Sequence, residues 1–180
     1  MDRQQVLDKF YYLFPQTVAI IGIAKNLMPA AWHTPISSQP PLYGALISPK
    51  RHTYTLATKE HGFTVNFLMH DQADLIARLG HTSGRDVDKI SDLGISCRRA
   101  EKVNGMLMSD AYGAYECEKY ALHEYGDHFL LVGRVISIHI AEIVVDKTGQ
   151  IDMKAMRTAL YFGKDQYLTI DPDTISIHKG

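Results

Sequence analysis

The chain has little of what marks a secreted, disulfide-bonded or membrane-spanning protein. Only two of its 180 residues are cysteines, Cys97 and Cys117, which is too few for a disulfide framework. Its longest apolar run, residues 18–24 (VAIIGIA), has the length of a strand and is far shorter than the roughly 20 residues of a membrane-spanning helix. No leader-like pattern precedes Phe14. We therefore expect a cytoplasmic protein with no membrane partner.

The sequence also lacks an excess of charge of either sign and the common nucleotide-binding motifs. Nineteen Lys and Arg residues face 20 Asp and Glu residues, for a formal net charge of -1, so we expect no general nucleic-acid surface. Neither a Walker loop nor a GxGxxG element occurs, which gives no support to a P-loop or Rossmann site. The length and a hydrophobic content of 46% suit one globular domain over residues 1–180.

Metal binding and side-chain catalysis have little support. The nine histidines include His61, His70 and His81, but their spacing matches no compact ligand set, and we predict no metal site. The two cysteines form no CxxC pair and read as small buried hydrophobes. Glu116 and Glu118 alternate with Cys117 along a predicted strand, so we expect both to face away from it rather than to form a catalytic pair.

Hydrophobic periodicity predicts a mainly β protein with a few short helices. The predicted helices cover residues 1–14 with Pro15 as the end, 54–61 with Thr53 as cap and Gly62 as stop, and 71–79 with Gly80 close behind. The predicted strands cover residues 16–25, 41–48 and 63–69, followed by a hairpin of 114–125 and 129–145. Residues 81–89 read as a turn, 101–108 and 153–163 stay unassigned, and 167–177 is a candidate edge strand. About six strands without regular helix alternation indicate an antiparallel barrel.

A predicted proline-rich loop, residues 26–40, separates the first two strands. Pro29, Pro35 and Pro40 restrict its backbone, so the loop can present its amides rigidly. At its centre, Trp32, His33 and Thr34 offer an aromatic face, an imidazole and a hydroxyl. The alternative is a covered barrel rim on which Trp32 only packs.

The following stretch, SPKRHTY (residues 48–54), has the composition of an anion site. Ser48, Lys50, Arg51, His52 and Thr53 stand between a predicted strand and a predicted helix, where free amides and cationic side chains can converge. The alternative is a capped helix with a solvated basic turn. An aromatic loop and an anion-binding turn joined by one strand suit a ligand with a flat ring and a phosphate tail, such as FMN.

These segments resemble the flavin reductase-like proteins with an FMN-binding split barrel, and among them the flavoredoxin-like branch. The fragments that carry the likeness are FPQTVAIIGI, NLMPAAWHTPISSQPPLYGALISPKRHTY, HGFTVNF, SGRDVDKI, YECE and GDHFLLVGRV. The resemblance implies a mostly antiparallel split β-barrel with flanking helices that dimerises and binds FMN near the subunit interface. It implies no catalytic side chain, because the chemistry lies at flavin N5.

The resemblance also implies which residues bind FMN. Those expected along the ring are Asn26, Ala30, Ala31, Trp32, His33 and Thr34. Those expected at the ribityl phosphate are Ser48, Arg51, His52 and Thr53. Asn66 is expected beside the flavin, and Ser83, Gly84 and Lys89 in a second polar segment, with Lys89 as a charge partner of the phosphate. Pro29 replaces a small hydroxyl residue of many relatives and offers no amide, so backbone contacts should come from Ala30 or Ala31, and His33 is a candidate hydrogen-bond donor.

Three functional hypotheses follow. The first is an oxidoreductase that takes electrons from NADH or NADPH and passes them through FMN to free flavin, a metal chelate, a quinone or a protein. The second is a flavoredoxin-type electron carrier without its own nicotinamide reaction. The third is a barrel that has lost FMN, against which Arg51, Thr53, Ser83, Gly84 and Lys89 argue. A homodimer is expected in each case.

Overall fold

A seven-stranded antiparallel sheet forms the centre of the molecule. A computed structural model describes residues 10–11 and 13–178. Its strands are β1 (Gln16–Thr17), β2 (Ala19–Ile23), β3 (Asn26–Ala30), β4 (His33–Ser38), β5 (Pro41–Ile47), β6 (Gly62–Phe67), β7 (Cys97–Arg99), β8 (Met106–Met108), β9 (Gly113–Tyr125), β10 (His128–Ile140), β11 (Leu160–Gly163) and β12 (Gln166–Leu168). The order in the large sheet is β3-β2-β6-β9-β10-β5-β4, so the predicted mainly β class is confirmed.

Strand β2 is buried on both faces because it separates two hydrophobic clusters. Ala19, Ile21 and Ile23 point into one cluster inside the curved sheet. Val18, just before the strand, and Ile20 point into a second cluster on the other face. The continuous apolar run of the sequence therefore reflects two cores served by alternate residues of one strand.

The predicted hairpin near the C-terminal half is confirmed as β9 and β10. Their register pairs Tyr125 with His128, and Gly126 at the turn has a φ of +61°, a conformation that favours glycine. Strand β10 ends at Ile140, earlier than predicted, because a short 3-10 helix (Glu142–Val144) follows.

The prediction of a loop over residues 26–40 is wrong. The region holds β3 and β4, joined by a short turn at Ala31 and Trp32. Among the described residues, β3 pairs with β2 alone and β4 with β5 alone, so each lies at one edge of the large sheet. Proline is tolerated in edge strands because its missing N–H is not needed by a further neighbour.

The helices flank the sheet with boundaries that differ from the prediction. They are α1 (His52–Lys59), α2 (Ala73–His81) and α3 (Lys89–Asp92), with 3-10 turns at His70–Gln72 and Pro172–Thr174. Arg51 rather than Thr53 occupies the N-cap of α1, without a side-chain cap bond. Gly62 begins β6, and Gly80 lies inside α2.

Two predicted features at the chain ends have different outcomes. The helix expected over residues 1–14 lies mostly outside the described residues, among which Phe10, Tyr11 and Leu13 lie in 3-10 conformation. The strand expected over 167–177 is shorter: β12 joins β11 and β1 in a small three-stranded sheet.

The stretch 101–108, left unassigned from the sequence, contributes β8, which pairs with β7 in a separate hairpin. The connection between β7 and β8 meets Glu116 of β9, which explains the unequal burial of two glutamates on that strand. Glu116 is fully buried under the 100–105 connection, where its Oε2 accepts a hydrogen bond from the Lys102 N–H, whereas Glu118 is exposed beside Arg134.

No helix among the described residues combines the length and the apolar character needed to cross a bilayer.

Candidate functional site

The first part of the site is a small cleft where the N-terminus of α1 meets β3 and the C-terminal end of α2. We call it the polar cleft. It measures about 170 Å³ and is lined by Asn26, Met28, Pro29, Lys50, Arg51, His52, Thr53, Leu79, Gly80, Thr82, Ser83, Gly84 and Lys89. The amides of His52 and Thr53 occupy the first two positions of α1, where the helix itself supplies no acceptor. Together with the positive end of the helix dipole and the cationic side chains of Lys50, Arg51 and Lys89, they favour an anion.

Asn26 is buried at the wall of the polar cleft and fixes the start of α1. Its Nδ2 donates a hydrogen bond of 2.9 Å to Thr53 Oγ1. Its Oδ1 is buried and has no partner within the described residues. A side chain at position 84 would overlap this oxygen, so Gly84 is required for the close approach of the two segments. A partnerless buried oxygen and a glycine cradle are features of a site shaped for a ligand.

Lys89 reaches the polar cleft from the beginning of α3. Its ammonium is buried and donates 2.9 Å hydrogen bonds to the carbonyls of Leu27 and Leu79. Burial, and next the nearby charge of Arg51, lowers the pKa of Lys89 to about 8. Because an ammonium has three hydrogens, one remains for a ligand. Lys89 therefore ties β3 to α2 and also supplies charge to the polar cleft.

The second part of the site is a larger cleft of about 590 Å³, which we call the Trp32 cleft. It is lined by Met28, Pro29, Ala30, Ala31, Trp32, Leu46, Ile47, Ser48, Lys50, Arg51 and His128. The Trp32 ring lies 5.1 Å from Tyr11, edge to face, and 4.9 Å from the tilted ring of His128. Lys50 and Arg51 line both clefts, which makes the two clefts neighbours across the start of α1.

His33 is turned away from both clefts. Its Nε2 lies 3.0 Å from the Thr17 carbonyl oxygen, and its Nδ1 lies 2.5 Å from the Tyr43 hydroxyl. Burial lowers the pKa of His33, against a smaller raising effect of the bond to Thr17. With both nitrogens occupied, His33 is not the free hydrogen-bond donor that the sequence suggested.

Asn66 lies in the core and lines neither cleft. It is fully buried, and its Nδ2 donates to the carbonyls of Ile20 and Met106 at 3.2 Å. Its Oδ1 accepts the Met108 N–H at 2.9 Å. Asn66 thus holds β8 against the sheet, and its amide has a complete structural explanation.

Apart from Asn66, the residues that the family resemblance implies for FMN binding therefore fall into three groups in the structure. The polar cleft collects Asn26, Arg51, His52, Thr53, Ser83, Gly84 and Lys89. The Trp32 cleft collects Ala30, Ala31, Trp32, Ser48 and Arg51. His33 and Thr34 line instead a third cleft, which shares Trp32 with the Trp32 cleft and is also lined by Thr17.

Sequence reasoning missed several lining residues. Thr82 stands directly before Ser83, so an extended motif would include it, whereas Lys50 is already part of the anion site predicted at the basic turn. Met28 lies in the segment that the sequence predicts as a loop, and Pro29 is predicted there only as a residue without an amide to donate. His128 gives no local signal, because only the fold of the β9–β10 hairpin brings it to Trp32.

The arrangement can hold an anionic group in the polar cleft and a flat apolar group in the Trp32 cleft at the same time. The polar cleft supplies amides, hydroxyls and cations, and the Trp32 cleft supplies aromatic and aliphatic walls. Within residues 10–11 and 13–178, no three His, Cys, Asp or Glu side chains come together to hold a metal ion.

Comparison with known proteins agrees with this geometry. The Flavin reductase like domain matches residues 11–170. An FMN-binding protein from Thermus thermophilus, solved with bound 1-cyclohex-2-enone, has a TM-score of 0.84 and 34% identity, with 98% of each chain covered. The flavoredoxin of Desulfovibrio vulgaris (Miyazaki F) has a TM-score of 0.85 at 19% identity, covering 98% of this chain and 97% of that one. This second likeness shows the fold alone.

A sequence relative extends the comparison to the archaea. An uncharacterised protein of Pyrococcus abyssi is 30% identical over 135 residues, which are 73% of this chain and 77% of the relative. The fold predicted from the sequence, an antiparallel split β-barrel with flanking helices, is confirmed by the structural neighbours. The chain belongs to the flavin reductase-like family.

Proposed function

We propose that this protein binds FMN, with the phosphate in the polar cleft and the ring system in the Trp32 cleft. The observation that carries the proposal is the junction of the two clefts at Lys50 and Arg51. A single ligand with a phosphate at one end and a flat ring at the other satisfies both clefts. The FMN-binding relative at 34% identity supports the same ligand.

The residues present fit this cofactor. The amides of His52 and Thr53 and the side chains of Arg51, Ser83 and Lys89 would hold the phosphate, because they offer several donors and net positive charge. Trp32 would lie along the ring system, and Ala30 and Ala31 would offer backbone contacts where Pro29 cannot donate.

We propose further that the protein is an oxidoreductase with NADH or NADPH as electron donor. When bound, FMN supplies the capacity to accept a hydride from a nicotinamide and to pass the electrons on. The chain's own residues then position the cofactor and stabilise negative charge through the cations and the helix dipole at the start of α1. The electron acceptor would be free flavin, a metal chelate, a quinone or a protein.

The absorption spectrum of the purified protein tests this function. After saturation with FMN and removal of the excess, bands near 370 and 450 nm should stay with the protein and bleach on anaerobic addition of NADH or NADPH. Bands that bleach only with dithionite would contradict the nicotinamide reaction and favour an electron carrier. A colourless protein would overturn FMN binding itself.

A further inference from the structure

A third cleft, which we call the aromatic cleft, adjoins the Trp32 cleft on the far side of Trp32. It has a volume of about 700 Å³. Ala31, Trp32 and Leu46 line both the Trp32 cleft and the aromatic cleft. A molecule in the aromatic cleft would therefore be separated from a ring in the Trp32 cleft by little more than these three residues.

The aromatic cleft differs from the polar cleft in its charge. Its apolar walls include Phe10, Phe14, Trp32, Leu130 and Leu160, and uncharged polar side chains also line it, namely Tyr11, Gln16, Thr17, His33 and Thr34. None of the described residues that line it is Lys, Arg, Asp or Glu. Because such walls cannot compensate an ionic charge, they disfavour phosphates, carboxylates and charged metal chelates. The cleft suits a flat, uncharged ligand.

Among the polar groups that line the cleft, the Thr17 hydroxyl is oriented by a neighbouring side chain. Since the Thr17 carbonyl can only accept, His33 Nε2 carries the hydrogen of the 3.0 Å bond between them. His33 Nδ1 then accepts from the Tyr43 hydroxyl. Thr17 Oγ1 lies 3.2 Å from the same Nε2–H and can act as an acceptor, which leaves its own hydrogen free for the cleft.

This chain of bonds gives His33 a defined role. Tyr43 is buried, and its hydroxyl holds Nδ1 of the imidazole. The other nitrogen, Nε2, is therefore directed at Thr17. His33 is a positioning residue for the Thr17 hydroxyl, and its ring also forms part of the cleft wall. The arrangement provides an oriented donor in a cleft whose walls are mainly apolar, which suits recognition of a carbonyl oxygen.

We propose that the aromatic cleft binds the electron acceptor and that this acceptor is a flat, uncharged cyclic carbonyl compound of the quinone class, whose oxygen accepts a hydrogen bond from Thr17. The inference rests on the proposed function, since it selects one acceptor class from those open to an FMN-dependent oxidoreductase. The overall reaction balances as quinone plus NAD(P)H plus one proton giving hydroquinone plus NAD(P)+. The nicotinamide supplies the hydride, and solvent at the exposed Thr17 side chain supplies the extra proton.

Calorimetric binding of 2,3-dimethyl-1,4-naphthoquinone to the FMN-loaded protein tests the proposal. Its methyl groups block addition of cysteine thiols, and 2,3-dimethylnaphthalene is the matched compound without carbonyls. Thr17→Val keeps the shape of the side chain but removes its hydroxyl. Quinone binding to this variant should weaken about fivefold, because one neutral hydrogen bond is lost, whereas the hydrocarbon should bind unchanged. In Leu160→Phe, which narrows the cleft, both compounds should bind about tenfold more weakly or worse.

Retention of FMN and its anaerobic bleaching by NADH or NADPH are measured on the same samples. Neither Thr17 nor Leu160 lines the clefts assigned to FMN, so both properties should match the wild type. Quinone binding that is absent, or equal in the wild type and both variants while FMN is retained, would overturn the acceptor site alone. Loss of FMN from the wild type would instead overturn the proposed function.

Discussion

At the scale of single residues, Lys89 shows how one buried side chain can serve both structure and binding. Its ammonium bridges the carbonyls of Leu27 and Leu79, which belong to β3 and α2. The pKa of Lys89 is lowered to about 8 from the ordinary value of 10.5, because burial disfavours the charged form. The charge that Lys89 gives the polar cleft should therefore change with pH above neutrality.

FMN affinity should fall as the pH rises from 7 to 9. Below its pKa the ammonium of Lys89 is charged and attracts the phosphate, and above it the neutral amine does not. A bound phosphate raises this pKa, so binding takes up a proton in this window. Fluorescence titration of FMN at several pH values measures the effect.

Lys89→Met is the matched control for that titration. It keeps the unbranched apolar part of the side chain but has no charge to lose, so its weaker FMN affinity should stay nearly constant between pH 7 and 9. Wild type and variant curves with equal slopes would show that another group is responsible.

Gly84→Ala should weaken FMN binding about tenfold or more while leaving the fold intact, because a side chain here collides with Asn26 Oδ1. Asn26 would then move and release Thr53, at the start of α1. FMN titration measures the loss of affinity, and the melting temperature shows whether the fold stays intact. Gly113→Ala is the control, since its added carbon would meet no atom closer than 3.7 Å.

A double variant shows whether Asn26 transmits this effect. If the collision with Asn26 is the cause, Gly84→Ala should add little to the loss of affinity already seen in Asn26→Ala. Losses that simply add would place the cause of the Gly84→Ala effect elsewhere.

At this scale the sequence predicted which residues gather around the start of α1, but not how their atoms are used. Arg51, His52 and Thr53 are neighbours in the chain, so one helix start brings them together, and Ser83 and Gly84 joined them through the family resemblance. The partners of His33 and Asn66 come from other strands. Their hydrogen bonds depend on strand register, which no local pattern specifies.

At the scale of secondary-structure elements, the main error of prediction concerns β3 and β4. Their prolines indicated a loop, since proline interrupts a strand that has neighbours on both sides. Both strands lie at sheet edges, where one side needs no N–H donor. Whether a strand lies at an edge is a property of the complete sheet, so it could not be known from the local sequence.

The β7–β8 hairpin is held to β9 by a buried carboxylate. Glu116 accepts the Lys102 N–H at 2.6 Å and lies 2.9 Å from His139 Nε2. Although burial acts in the opposite direction, these hydrogen bonds keep the pKa of Glu116 below its ordinary value. The connection between β7 and β8 therefore depends on an ionised carboxylate.

Glu116→Gln should lower the free energy of unfolding by about 1.5 to 3 kcal/mol, because an amide cannot replace the buried charged acceptor. The group's pKa is lower in the folded than in the unfolded state. Its stabilisation is therefore complete above the unfolded pKa, near 4.5, and is lost as the pH falls through the lower folded value. Urea unfolding at pH 7 and at pH 4 and below should show the difference between wild type and variant shrinking in acid.

Glu118→Gln is the matched control on the same strand. Its carboxylate pairs with Arg134 in solvent, where an ion pair contributes less than about 1 kcal/mol. Equal losses of stability in the two variants would contradict the role assigned to Glu116.

At the scale of the whole molecule, the large sheet leaves one strand half uncovered. Strand β10 pairs with β5 only from Phe129 to Arg134, so among the described residues its second half, Val135–Ile140, has a strand partner on the β9 side alone. Ile136, Ile138 and Ile140 are exposed there. An unpaired edge that carries large aliphatic side chains is a surface that proteins usually cover.

We expect a second copy of the chain to cover this surface, so the protein should be a homodimer with β10 at its interface. Light scattering at micromolar concentration should then give about twice the 20.3 kDa of one chain. Ile138→Lys should shift the mass towards the monomer, because a charge cannot be buried among facing isoleucines without a partner. Tyr125→Lys, at the other end of the hairpin, should leave the dimer intact, since Tyr125 is exposed at the turn and distant along the strand from Ile138. A wild type that scatters as a single chain would contradict the dimer and show that the isoleucines are covered by something other than a second copy. Equal dissociation by both substitutions would place the interface along the whole hairpin rather than at its isoleucine end.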